Sequence, residues 1–366
     1  MTEITARQLE AAKLLEGAIR GDKRDQLALR EGISTSDLPV QLAPTINKIM
    51  LENYADTPAV WDQFAQRLVV DDFRPQQYMN MAYDDAGLDN AGDKFYEGAL
   101  PSVGEYDEYP TAGWFTFSEA EFQVKKSGSR VRFSWESIVN DNNISVLERL
   151  PIELARKARG LEDLEATKQL VASGGLNTAN FKTGNQNIIS GNPALTLEAL
   201  EAAIQAINLQ TYNGRQVSPF TRFVLMVSPA LELTAKKILA IQQVRTEVTS
   251  GGTVTSTVSG NPIGSQIRIV VNHWIKKINT GADNYWFLLP ETQDTLNPGI
   301  VLGFLRGYEA PELRVKANGG LYLGGGAVPA REGSFDNDDF EMRIRHIATG
   351  GFLFPQGTIA STGAGS

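Results

Sequence analysis

The chain has 366 residues, with 34 Lys and Arg against 43 Asp and Glu, 42% hydrophobic residues and no Cys. Such a composition is globular, neither disordered nor fibrous, and the length gives one large or two ordinary domains with a sizeable core. The lack of Cys excludes a disulfide framework, thiolate metal ligation and a Cys nucleophile. A net charge of −9 weighs against nucleic-acid binding through the overall field, though not against a local basic patch. The apolar runs are too short for a transmembrane helix, and Met1–Thr5 lacks the basic and apolar regions of a signal peptide, so an intracellular protein is expected.

Residues 1–31 read as helix. Thr5-Ala6-Arg7-Gln8 fits a capping box, Leu9, Ala12, Leu15 and Ile19 fall near one face, and Gly21 marks a stop, with a second short helix over Asp22–Arg30. An extended segment punctuated by Pro39, Pro44, Pro58 and Pro75 follows, in which Ala43–Met50 can begin a short helix with Pro in its first turn. Residues 1–80 are either a small helical domain or an arm that packs on other chains.

Residues 84–121 hold ten acids and one base, Lys94, a net of −9 that equals the imbalance of the whole chain. Phe95, Tyr96, Tyr106, Tyr109, Trp114, Phe115 and Phe117 are interleaved with turn residues, which points to a long open hairpin with a surface to bury elsewhere. The charge then reverses. Residues 122–159 carry eight bases and four acids. Phe122–Val124 and Arg130–Trp135 alternate like strands around a Ser127-Gly128-Ser129 turn. Leu147, Leu150, Leu154, Ala158, Leu161 and Leu164 then predict a long helix that begins or bends near Pro151. Interspersed acids make this stretch a solvated or protein-facing surface before a nucleic-acid patch.

A polar connection over 173–194 leads to α/β material: a helix over Thr196–Ile207 capped by Thr196, a buried strand Phe223–Val227, and a helix over Leu231–Leu239. A mobile hairpin is expected over 246–265. Strands follow at Ile267–Val271, Trp286–Leu289, Ile300–Phe304, Leu313–Val315 and Phe340–Ile347, and the small polar tail Thr358–Ser366 reads as frayed.

Signals for chemistry are sparse. The two histidines, His273 and His346, have strand-like flanks and no metal-ligand spacing, and so read as structural. There is no nucleophile elbow and no Walker A loop. Asn318–Gly326 lacks the closing Gly-Lys-Ser/Thr of a phosphate cradle and reads as a loop, and the pairs Asp71-Asp72, Asp84-Asp85 and Asp338-Asp339 read as solvated charges. No catalytic residue, metal or cofactor is expected.

The order of parts resembles a tailed-bacteriophage major capsid protein of the Hong Kong 97 fold. The resemblance is carried by Trp114–Phe117 through Val124-Lys125-Lys126 and by Phe133–Asp141, where Ser134, Glu136 and Asp141 match a Ser-x-Glu-Leu-Leu-x-Asp pattern approximately, with Ile138-Val139 at its apolar positions. The helix ending in Glu162–Glu165, the strand Phe223–Val227 with Ser228-Pro229, and the closing strand Phe335–Arg345 carry the rest. It spans about residues 80–360 and implies an α+β fold in several parts. Residues 1–83 would be the N-terminal arm, 84–134 the extended β-hairpin loop, 135–192 with 306–350 the peripheral domain with its spine helix, 193–305 the α/β axial domain and 351–366 the C-terminal tail.

By that resemblance many copies form hexamers and pentamers that tile an icosahedral shell around double-stranded DNA without sequence-specific binding. The protein would reside in the virion capsid after assembly in the host cytoplasm. A separate scaffolding protein, a portal and a decoration protein are the implied partners, because the arm is too short to be a fused scaffold. Intersubunit contact falls to Asp93, Glu97, Glu105, Asp107, Glu108, Tyr109 and Trp114 on the loop, and to Arg156 and Arg159 on the basic stretch. The family's isopeptide cross-link needs a loop Lys, and Glu97–Gly113 has none, so a non-covalent shell is expected. An encapsulin-like cargo compartment is the alternative within the same fold, and an α/β enzyme the alternative outside it.

Overall fold

A computed structural model describes residues 42–83, 104–106, 115–140, 145–212, 215–216, 222–240, 243–250, 253–260, 263–291, 299–316, 319–321, 323, 328 and 333–365. Helix α1 (Leu42–Asp56) precedes β1 (Gln66–Val70), β2 (Gln76–Tyr83), β3 (Phe115–Phe122) and β4 (Lys126–Ser134). Short α2 (Trp135–Asn140) and long α3 (Ser145–Thr167) follow, then the two-residue strands β5 (Val171–Ala172) and β6 (Gly175–Leu176). Next come α4 (Leu197–Asn208), β7 (Thr211–Tyr212), β8 (Arg215–Gln216), β9 (Phe223–Val227), α5 (Glu232–Ala240), β10 (Gln243–Ser250) and β11 (Thr253–Gly260). The chain continues with β12 (Ile267–Val271), α6 (Trp274–Ile278), β13 (Trp286–Pro290), β14 (Ile300–Leu305), β15 (Glu312–Val315), β16 (Asp339–Phe352) and β17 (Ile359–Ser361).

Contacts divide the chain into two units. The first takes in residues up to 59, 124–162 and 304–348; the second comprises 60–123, 163–303 and 349–366. The first unit is built on three antiparallel strands, with β16 central between β4 and β15. Alternation along β16 turns Phe340, Met342 and Ile344 to one face. There Val131, Phe133, Leu313 and Val315 from the flanking strands join them against Leu150 and Leu154 of α3. Helix α1 begins as the sequence indicates, with Pro44 in its first turn, and packs Met50 into this same core beside Leu154, Ala155 and Ala158. This helix is thereby anchored on the core of its own subunit through Met50. Met50 has no exposed surface. Residues 1–31, with their capping box, lie outside the described residues.

A further expectation changes. Ser127-Gly128-Ser129 is not a turn but the interior of β4, paired with Ile344, Arg345 and His346. Gly128 suits a close backbone approach there, since a Cβ would stand 2.4 Å from the carbonyl oxygen of Ile344. Helix α3 carries Pro151 inside its N-terminal part, near the start that the sequence indicates.

The second unit holds a four-stranded sheet in the order β12-β9-β13-β17. All five residues of β9 are buried, the mark of a strand covered on both faces. Phe223, Leu225 and Val227 meet Leu200, Ala203 and Ile207 of α4 and Ala235 and Ile238 of α5. Thr196 caps α4, its hydroxyl accepting from the Ala199 amide at 3.1 Å. The tail is a correction. Thr358–Ser361 is buried and β17 completes the sheet along β13, Trp286 opposite Ser361 and Leu288 opposite Ile359. Small side chains, which read as fraying in sequence, let the backbone close in: the Gly365 amide donates to the Asn192 carbonyl at 2.8 Å. Strands β10 and β11 form the expected hairpin.

Candidate functional site

In the first unit, the inner face of the sheet builds a buried polar cluster. His346 on β16 is 3% exposed and Glu162 on α3 fully buried. Glu162 Oε1 accepts from the Tyr54 hydroxyl of α1 and lies 2.7 Å from His346 Nε2. Its Oε2 receives Arg159 Nη1 at 2.9 Å, while Arg159 Nε donates to the Tyr54 carbonyl at 2.9 Å. The Arg159 guanidinium also lies over the Tyr54 ring, 3.8 Å from its centroid, and the His346 ring meets Tyr54 edge-on at 5.9 Å. Burial pushes the Glu162 carboxyl up, but hydrogen bonds from His346 and Tyr54 and the charges beside it outweigh this and hold it below its ordinary value. Three elements distant in sequence are thereby tied by one carboxylate. His346 is structural, as expected. His273 lies between β12 and α6, just ahead of the helix.

The outer face of the same sheet is charged. Asp339 accepts from Ser334 and from Arg132, and both hold its carboxyl well below the ordinary carboxylate range. The reading of Asp338-Asp339 as solvated charges is thus corrected for Asp339, whose side chain is 5% exposed; alternation turns it to the sheet face where Arg132 covers it. Glu341, 3% exposed, gathers Arg132 at 3.3 Å, Arg130 at 3.4 Å and Lys316 at 3.5 Å. Glu312 takes both Arg314 and Arg345, and hydrogen bonding by Arg314 first among the causes lowers its pKa.

In the second unit, β2 and β3 form the ladder that closes the acidic segment, from Gln76 opposite Phe122 to Tyr83 opposite Phe115. The sequence reading missed β2, because its partner lies more than thirty residues away and nothing local marks the pair. Of the proposed contact residues, Glu105 is exposed beside Tyr106, whereas Asp93, Glu97, Asp107, Glu108, Tyr109 and Trp114 lie outside the described residues. On the basic stretch Arg156 is 63% exposed and pairs with Glu153 at 3.0 Å. Arg159 is turned inward to Glu162 and is 18% exposed. Among the described residues, no three His, Asp or Glu side chains gather as a metal site, and no helix is long and apolar enough to cross a membrane.

A family model described as phage capsid protein matches residues 118–361, the stretch that contains the sheet, α3 and the whole of the second unit's four-stranded sheet. The chain belongs to this phage capsid protein family. This capsid protein is accordingly a structural component of a virion shell, with an α+β order of hairpin, long helix, four-stranded sheet and closing strand. No curated protein matches the sequence. Similar solved structures include a chain from Mycobacterium phage Ogopogo, at 16% identity and TM-score 0.44, covering 83% of this chain and 91% of that one. The SrpI encapsulin of Synechococcus elongatus gives 11% identity and TM-score 0.43, covering 81% and 85%. A virus-like particle from Pyrococcus furiosus gives 10% identity and TM-score 0.44, covering 88% and 100%.

Proposed function

We propose that copies of this capsid protein assemble as hexamers and pentamers into an icosahedral head around double-stranded DNA, in the host cytoplasm and with a separate scaffolding protein. A portal and a decoration protein complete the proposed partner set. The family match over residues 118–361 is the observation that carries this reading. Charge supports it. A chain of net −9 repels packaged DNA, so the shell need not grip its contents. The division into arm (1–83), extended loop (84–134), peripheral domain (135–192 and 306–350), axial domain (193–305) and tail (351–366) belongs to the same proposal. So does the contact set: Asp93, Glu97, Glu105, Asp107, Glu108, Tyr109 and Trp114 of one copy meet basic residues of the next, with Arg156 the exposed member of that pair and Arg159 reserved for the internal cluster.

The experiment is expression of the protein alone and with its phage's scaffolding protein, followed by electron microscopy and sedimentation. Closed particles of megadalton mass are expected. A small discrete oligomer under both conditions refutes the shell reading, and particles that enclose a co-expressed enzyme and no DNA in infected cells favour the encapsulin alternative.

A further inference from the structure

Strands β10 and β11 make a sheet of two. All eight residues of each are paired without a bulge, from Gln243 opposite Gly260 to Ser250 opposite Thr253, and among the described residues neither strand pairs with a third. A two-stranded sheet on its own is marginal in water, and each strand keeps a second edge. Alternation along a strand of this length turns about four amides and four carbonyls out of such an edge. Folded proteins guard edges of this kind with charges, Pro, bulges or short length. The strands that end the larger sheets of this chain are guarded. β1 carries Arg67, β4 carries Lys126, Arg130 and Arg132, β15 carries Glu312 and Arg314, β12 carries Arg268, and β17 has only three residues. β11 has none of these devices. Its sequence, Thr253-Val254-Thr255-Ser256-Thr257-Val258-Ser259-Gly260, holds no charge and no Pro, and its Thr and Val favour the extended state. β10 adds Val244, Thr246, Val248 and Thr249 to the same propensity, with Arg245 and Glu247 as its charges.

We propose that β11 of one copy pairs its second edge with the second edge of β10 in the next copy, through backbone hydrogen bonds, so that neighbouring hairpins join into one closed sheet. The proposal rests on the shell reading and goes beyond it, because it names the strands that pair. Symmetry selects the occupant. Head-to-tail pairing leaves an open edge at each end of a row of copies until a rotation closes the row into a ring. The hexamers and pentamers of the shell reading are such rings, and in them both edges of every hairpin are used. Pairing of β11 with β11 about a twofold axis would leave every β10 edge open. Rotation about a ring axis keeps the sense of each strand along that axis, so β11 meets the neighbouring β10 antiparallel, as it meets its own. Two strands per copy also make the strand total even in either ring, as an all-antiparallel closed sheet requires. An uncharged strand offers a nucleic acid no cation to set against its phosphates, which leaves backbone pairing as the chemistry of this edge.

The chain has no Cys, so single introduced thiols report on this contact without background. One preparation carries Thr246→Cys in β10, and a second set carries one Cys each along Thr253–Gly260 of β11. Particles assembled from the first mixed with each of the second are oxidised and run on non-reducing denaturing gels. Disulfide-linked dimers that join position 246 to a β11 position are expected in at least one mixture, and each preparation assembled by itself should stay monomeric on the gel. Dimers of a β11 variant by itself, or no dimer in any mixture that forms particles, overturn the proposal. Hydrogen exchange of the unaltered protein gives a second reading. Amides at alternate positions of β10 and β11 should exchange on the order of a hundredfold more slowly in shells than in the free subunit, because pairing closes their route to water. Equal rates in shell and subunit overturn the pairing. Thr255→Lys with Thr257→Lys, which guards the edge, should lower particle yield on the order of tenfold while leaving the melting temperature of the subunit unchanged. Normal yield from that variant overturns the edge contact and leaves the shell reading standing. Wild-type protein that forms no particles under any condition overturns both.

Discussion

Removing the charge of Glu162 tests whether one buried carboxylate fastens α1 and β16 to α3. In Glu162→Gln the side-chain oxygen can still accept from Tyr54 and His346, but the new amide nitrogen faces Arg159 Nη1, which now lies 2.9 Å from Oε2, donor against donor. Breaking a buried ion pair by removing one partner costs about 3–5 kcal/mol. Arg159 retains 18% exposure and can turn partly to water, so a loss of about 3 kcal/mol is expected, at the lower end of that range. Tyr54→Phe in the native background removes a hydrogen bond to a charged acceptor, about 1.5–3 kcal/mol, and in the Glu162→Gln background a neutral one, about 1 kcal/mol. The two substitutions should therefore couple by roughly 1 kcal/mol.

Urea unfolding of the unassembled subunit, followed by tryptophan fluorescence, supplies all four corners of this cycle. pH adds an independent check. The Glu162 carboxyl titrates lower in the folded state than in the unfolded chain, so its contribution is complete above the unfolded value of about 4.3 and is lost as pH falls through the folded one. The difference between wild type and Glu162→Gln should shrink as the pH falls below about 4.3. A loss under about 1 kcal/mol at pH 7, or a Tyr54→Phe effect identical in both backgrounds, would refute the idea of a shared carboxylate.

Ile359→Ala in β17, where Ile359 is 1% exposed, should cost about 2–5 kcal/mol in the same assay, whereas a frayed tail would give no change. Gly128→Ala should disrupt the β4–β16 ladder, because its Cβ meets a backbone oxygen at 2.4 Å that has no rotamer to yield; overpacking of this kind costs about 1–3 kcal/mol, read as a lower urea midpoint. Mature particles boiled in detergent should run as one band near the 40.0 kDa subunit mass, and a ladder of resistant oligomers would show covalent cross-links. Reversal of Glu105, Asp107 and Glu108 to Lys should impair assembly while leaving the subunit's unfolding midpoint unchanged, as measured by sedimentation beside urea titration.

Local signals in the sequence determined the elements whose causes are local. Thr196 capped its helix, the unbroken apolar run Phe223–Val227 gave a strand buried on both faces, and the leucine spacing after Leu147 gave the long helix, because caps and periodicity act over a few residues. The charge contrast between 84–121 and 122–159 was equally plain, since charge is a property of composition. Tertiary structure decided everything that depends on a distant partner. Ser127-Gly128-Ser129 has the composition of a turn, yet Ile344–His346 claims it as strand. The small residues of the tail carry no strand signal until the free edge of β13 supplies one. Arg159 looked like any surface arginine of a basic helix until Tyr54 and Glu162 drew it inward. The opposition of Arg130, Arg343 and Arg314 exists only in the register of three strands, the first and last more than two hundred residues apart in sequence, for opposition across a sheet is set by pairing and no single strand encodes it.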